Sequence, residues 1–206
     1  CVSNLHQQGL ALASFVSEHH VYPLFMCSGE TRKKYPEHGS SWFTVLAPAS
    51  MSSHGFEGIL RCPSGKKPAT FPDAYPSYGY NSDGLIGRSG GKPFGLGGTG
   101  AEEVFAPPVP ESEIANPAGM VAIGDGFVGW DNIIRDGLAK IGRDAGVTDV
   151  LNSSERARKR HNGKAIVLFC DGHVSAVKLS VLFTDRSETA LKLWNRDGKA
   201  HMERLP

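Results

Sequence analysis

The chain predicts an α+β fold, with an N-terminal amphipathic helix followed by short strands joined by long Gly/Pro-rich loops. Three observations carry this. Apolar residues recur in steps of three and four through the opening residues. Near the C-terminus an unbroken apolar run meets an Asp-Gly dipeptide and then a second strand-like run. Between them, from Pro63 to Pro117, glycine and proline are too dense for helices.

The helix comes first. "CVSNLHQQGLALASFVSEHH" places Val2, Leu5, Gly9, Leu12 and then Phe15 with Val16 on one face. It should fade near His19–His20, because Pro23 disfavours helix in the residue before it. The pattern is already running at the first residue, with no room for a cap before Val2. The expectation is a longer helix that continues upstream and includes a membrane anchor.

The strands and turns follow. Ser41 to Leu46 suits a short helix or strand, and "EGILRCPS" a short strand ending at Cys62–Pro63. "PSYGYNSDGL" reads as a strand running into a turn at Asn81, Asp83 and Gly84. Residues 86 to 100 are almost all loop formers, Met120 to Ile123 form a strand, and "WDNIIRDGLAKIG" a helix or helical turn. Ala165 to Cys170 reads as a strand buried on both faces. Asp171-Gly172 then signals a two-residue hairpin turn, and His173 to Leu179 the returning strand. A short helix over Ser187 to Asn195 and a polar tail complete the chain.

Composition narrows the function classes. Apolar residues make up 40% and charged residues 21% of 206, as in a folded protein. Net charge is +1, from 22 basic and 21 acidic residues, so nothing global points to nucleic acid. The local run "ERARKRHNGK" reads as a solvated loop or helix end. Cys1, Cys27, Cys62 and Cys170 show no C-x-x-C spacing. One or two disulfides in any of three full pairings, or four buried thiols, all remain open. "GLGGTG" has no preceding strand and no Lys-Ser/Thr after it, which excludes a phosphate loop. The G-x-S-x-G spacing at Gly87–Gly91 falls in a run of loop formers and makes no nucleophile elbow, and H-E-x-x-H does not occur, so the reading is not an enzyme.

"RHNGKAIVLFCDGHVSAVKL" carries the most chemistry, with His161, Asp171 and His173 around one apolar run. These could be metal ligands, an acid/base pair or hairpin punctuation. A straight strand would hold His161 and Asp171 about 20 Å apart, at ~3.3 Å per residue. They therefore cannot share an ion, and the motif reads as hairpin architecture.

His161, nine residues, then Asp171-Gly172 resembles the H-x9-DG signature of prepilin-like proteins, which abound in planctomycete and verrucomicrobial bacteria. Cys1, Asn4, Leu5, Gln7, Gly9, Ala11 and Leu12 match the segment that follows that family's hydrophobic helix, with His6 in a basic position. "RCPS" and "SYGYN" fit its middle, and "WNRDGKAH" its C-terminal tail. The resemblance implies a single pilin-like domain over 1–206. Residues 1–20 would be the C-terminal half of the helix, and 21–206 a globular head whose antiparallel sheet packs on it. Leu5, Leu12 and Val16 would face that sheet. A membrane-spanning half-helix, cut and methylated by a prepilin peptidase, would precede residue 1. It would anchor the subunit in the inner membrane, with the head in the periplasm or on the cell surface.

Taking Cys1 and Cys62 as the family pair leaves Cys27 with Cys170 as a second bridge. Calcium binding in related pseudopilins makes Asp125, Asp131 and Asp171 calcium candidates, Asp125 ahead of Asp131. The competing reading is that Asp125-Gly126 and Asp171-Gly172 are turns. The implied function is a structural subunit of a type IV pilus-like or type II secretion fibre. Its partners would be copies of itself, other pilins and the assembly machinery. A minor pilin binding a ligand through loop 86–115 is the second reading, and a metal-dependent enzyme using His161, Asp171 and His173 the third.

Overall fold

The apolar stripe of the first twenty residues folds as α1 (Val2–His19), which buries Leu5, Gln8, Gly9, Leu12 and Phe15. His20 closes it in the left-handed conformation, donating its N–H to the Val16 carbonyl at 2.7 Å. The computed structural model describes residues 1–27, 29–52, 55–56, 58–64, 77–85, 94–97, 107–126 and 159–205. The helix expected over "WDNIIRDGLAKIG" and most of loop 86–115 lie outside them.

A short helix α2 (Gly29–Lys34) leads to α3 (Trp42–Leu46), so the Ser41–Leu46 stretch is helical. The Thr44 hydroxyl accepts from the Ser40 and Ser41 N–H groups (3.2 and 3.1 Å) and ties off its first turn. Trp42 is fully buried and stacks on Tyr80, with ring centroids 5.6 Å apart. Strands β1 (Met51–Ser52) and β2 (Gly55–Phe56) make a minimal antiparallel pair. Residues 58–60 form a 3-10 turn instead of the expected strand. Side chains of α1 take the carbonyls that a sheet neighbour would have needed: Asn4 donates to Gly58 and Arg61, and Gln8 to Ile59.

The main sheet contains β3 (Tyr78–Tyr80), β4 (Val121–Asp125), β5 (Lys164–Phe169) and β6 (Val174–Lys178), in that order and antiparallel throughout. Two short helices, α4 (Leu179–Phe183) and α5 (Glu188–Lys192), follow it. The C-terminal helix is shorter than expected because Trp194 turns into the core, where its indole N–H donates to the Leu182 carbonyl at 3.1 Å. The β5 strand is buried on both faces, as its unbroken apolar sequence requires. Ile166 and Leu168 pack with Leu5, Leu12, Phe15, Trp42 and Tyr80 on the α1 side. Ala165, Val167 and Phe169 pack with Leu179, Leu182, Phe183 and Trp194 on the other.

The β5–β6 hairpin differs from the expected two-residue turn. Gly172 donates its N–H to the Phe169 carbonyl at 2.9 Å, and Phe169 donates to His173 at 2.9 Å. Only Gly172 has positive φ, at 91°, so Asp171 sits in ordinary backbone and glycine alone supplies the left-handed step.

Gly9 is where α1 approaches the sheet most closely. A Cβ there would lie 2.8 Å from Leu168 Cδ1 and 3.4 Å from the Gly172 carbonyl oxygen. Gly9→Ala should stay within about 1 kcal/mol of wild type, since better helix propensity offsets a shift of one flexible methyl. Gly9→Val should lose about 1–3 kcal/mol by overpacking. Thermal melts of both variants check the contrast, and equal losses would refute it.

His38 is fully buried beneath α1, where Nδ1 accepts from the Leu24 N–H at 3.0 Å. Burial lowers its pKa below the ordinary value, against a smaller pull from Glu37 and with a small push from His19. The unfolded chain therefore takes up a proton near pH ~6.5 that the folded chain refuses. This contribution to stability is intact above pH ~6.5 and falls as pH drops toward the folded pKa, with a slope of at most ~1.4 kcal/mol per pH unit. Urea unfolding between neutral and mildly acidic pH should show a steeper loss for wild type than for His38→Gln.

Candidate functional site

Four side chains from distant parts of the chain meet at the open end of the sheet: Cys1, Cys62, Asp125 and His161. Cys1 precedes α1, and the Asn4 and Gln8 amides, one turn apart on the same helix face, hold residues 58–61 against it. Cys62 is thereby brought to a Cα–Cα separation of 5.1 Å from Cys1, and the two form a disulfide. The Leu60 carbonyl accepts from Ser77 N–H at 2.8 Å, which docks this segment at the start of β3. Across the sheet, Tyr78 pairs with Asp125, the last residue of β4.

His161 arrives from the turn that enters β5. It has φ 51° and ψ 33°, and Asn162 (56°) and Gly163 (74°) are also positive. Left-handed backbone costs roughly 1–2 kcal/mol in a non-glycine residue. This strained turn sets His161 Nε2 3.3 Å from Asp125 Oδ2 and 3.8 Å from Cys62 Sγ. Asp125 is wholly buried, and its Oδ2 also accepts from the Ile166 N–H at 2.7 Å. Its Oδ1 has no hydrogen-bond partner. Arg160, itself buried, donates from Nη2 to the Gly126 carbonyl at 2.8 Å.

Burial pushes the Asp125 carboxyl above its ordinary pKa, offset by Arg160, the Ile166 N–H and His161. Burial likewise lowers the His161 pKa, against the pull of Asp125. The result is a closed polar knot within an apolar surround, with Cys1 and His161 only half-buried. It offers sulfur, nitrogen and carboxylate donors side by side.

The other predicted residues fall elsewhere. Asp171 and His173 sit at the hairpin tip, at the far end of β5 from His161, where their side chains pair with each other (Oδ1 to Nδ1, 2.7 Å). Slight desolvation raises the Asp171 pKa but is outweighed by the His173 N–H and ring, which hold it below the ordinary value. A centre built from His161, Asp171 and His173 is therefore not assembled. The calcium set is not assembled either. Asp125 lies beside Ile166 and Asp171 beyond Phe169, about 16 Å apart at ~3.3 Å per residue. Among the described residues, the metal-ligand side chains clustered with Asp125 offer nitrogen and sulfur, which calcium does not favour. Asp131 lies outside the described residues.

The second bridge does not form, because Cys27 and Cys170 are free thiols. Cys170 is engaged with Tyr22, and burial raises its pKa to about 12 despite that hydrogen bond. Cys27 lies among the charges of Arg32 and Glu37.

Sequence reasoning missed Gln8 and Arg160, and gave Asn4 only as a residue of the matched pattern with no role. The available signal was a polar pair, Asn4 and Gln8, at helical spacing on the apolar face of α1. The juxtaposition of Asp125 with His161 had none, since 36 residues of unrelated pattern separate them. No described helix is long and apolar enough to cross a membrane. No protein-family model, curated protein or solved structure matches this chain.

Proposed function

We propose that this chain is the globular head of a pilin- or pseudopilin-like structural subunit of a type IV pilus-like or type II secretion fibre. The observation that carries the reading is the docking of α1. Of the residues that match the prepilin-like pattern, Cys1 bridges to Cys62 and Asn4 holds the carbonyls of 58 and 61. Leu5, Gly9 and Leu12 bury against the sheet. The pattern therefore specifies how a helix seats on a head. Two further matched motifs meet in the same way. Asn81 of "SYGYN" donates to the carbonyls of Val121 and of Trp194 in "WNRDGKAH", at 2.8 and 3.0 Å.

A helix clamped to its head by a covalent bridge suits a subunit that is held in a fibre by that helix. Leu10, on the opposite face, is 74% exposed and offers an apolar contact to a neighbouring subunit. Under this reading the membrane anchor lies upstream of Cys1.

N-terminal sequencing and intact mass of the native protein from cell membranes test the proposal. The expected result is a cleaved leader, an N-methylated first residue and an apolar-rich segment ahead of Cys1. A mature chain starting at Cys1, with no such segment, would remove the fibre mechanism.

A further inference from the structure

We propose that Cys1, Cys62, Asp125 and His161 form a zinc site in the reduced chain, so that the disulfide and a bound metal are alternative states of one cluster. The inference does not depend on the pilin-like reading. The four ligand atoms already lie within 4.8 Å of one another. Tetrahedral zinc, with bonds of about 2.0–2.3 Å, needs ligand–ligand distances of roughly 3.3–3.8 Å. Small side-chain rotations close that gap once the sulfurs part.

The donor set is thiophilic, with two thiolates, one imidazole Nε2 and one carboxylate, which favours zinc over calcium or magnesium. Asp125 Oδ2 lies 3.3 Å from His161 Nε2, and the other oxygen of the same buried carboxylate, Oδ1, has no hydrogen-bond partner. Outer contacts that orient the ligands are in place: Ile166 N–H holds Asp125 Oδ2, and Asn4 and Gln8 fix the segment that carries Cys62. Half-buried Cys1 and His161 leave a path for the ion.

Opening the bridge takes two electrons and two protons. A dithiol reductant supplies them and closes its own disulfide in exchange. The two cysteine thiols then release their protons to water as the metal binds. A chain holding zinc cannot close the bridge, and a bridged chain has lost both sulfur ligands.

The test uses the full chain, reduced with a phosphine, stripped with a chelator and titrated without oxygen. Cobalt(II) is the optical probe, and zinc its competitor. The expected result is a thiolate-to-cobalt charge-transfer band with tetrahedral ligand-field bands, saturating at one ion per chain and abolished by zinc. The oxidised chain should show neither. Cys27→Ser with Cys170→Ser should leave the spectrum unchanged. Asp125→Asn and His161→Gln should each weaken binding by at least about 10–100-fold, the range for loss of even an outer contact. A reduced wild type without the charge-transfer band would overturn the proposal, as would a spectrum that survives Cys62→Ser. Circular dichroism is recorded in parallel. If reduction unfolds the chain, recovery of structure on adding zinc supports the site, and failure to recover it counts against it.

Discussion

Cys62→Ala should lower the stability of the oxidised, metal-free protein by about 4 kcal/mol. The bridge closes a loop with a sequence separation of 61 residues, and crosslinking a loop of that length removes a large entropy from the unfolded chain. The loop carries α1, α2 and α3, whose own packing the substitution leaves in place, so the loss arises in the unfolded chain. Urea unfolding should show a lower midpoint and a steeper slope, because the uncrosslinked chain expands more on unfolding. A loss under about 1 kcal/mol would mean that the amides of Asn4 and Gln8, rather than the bridge, hold residues 58–62 on α1.

Asp125→Ala should cost about 2–4 kcal/mol, from an unsatisfied backbone donor together with a void in a closed site. The side chain is completely buried, accepts from the Ile166 N–H, and is the carboxylate whose charge bears on buried Arg160. Its removal leaves the Ile166 N–H, a buried backbone donor, without its acceptor and opens a void in a closed site. Asp125→Asn keeps an acceptor for Ile166 and should lose only about 1–3 kcal/mol. An alanine variant as stable as the asparagine variant would show that solvent reaches the Ile166 N–H once the carboxylate is gone.

Much of the fold was legible because it rests on short-range pattern. The three- and four-residue steps from Leu5 to Phe15 specify α1, and the apolar run before Asp171-Gly172 specifies β5 and its hairpin. Each misreading has a local cause. The segment "GILRC" has strand-like composition, but Asn4 and Gln8 take its carbonyls, and it curls into a 3-10 turn. Asp171-Gly172 suggested a two-residue turn, whereas Gly172 alone took the left-handed backbone. The resemblance implies a second bridge between Cys27 and Cys170, yet both are free thiols and Cys170 is engaged with Tyr22.

The sequence by itself determined the helix, the hairpin and the separation of His161 from Asp171. Periodicity and strand rise act along the chain and need no partner. Only the tertiary structure decided that His161 faces Asp125 and a disulfide. That meeting depends on the β3–β4–β5 strand order, on two amides that seat residues 58–61, and on a left-handed turn at residues 161–163. Each is a long-range or strained arrangement held by the packed core around it, and no window of neighbouring residues encodes it.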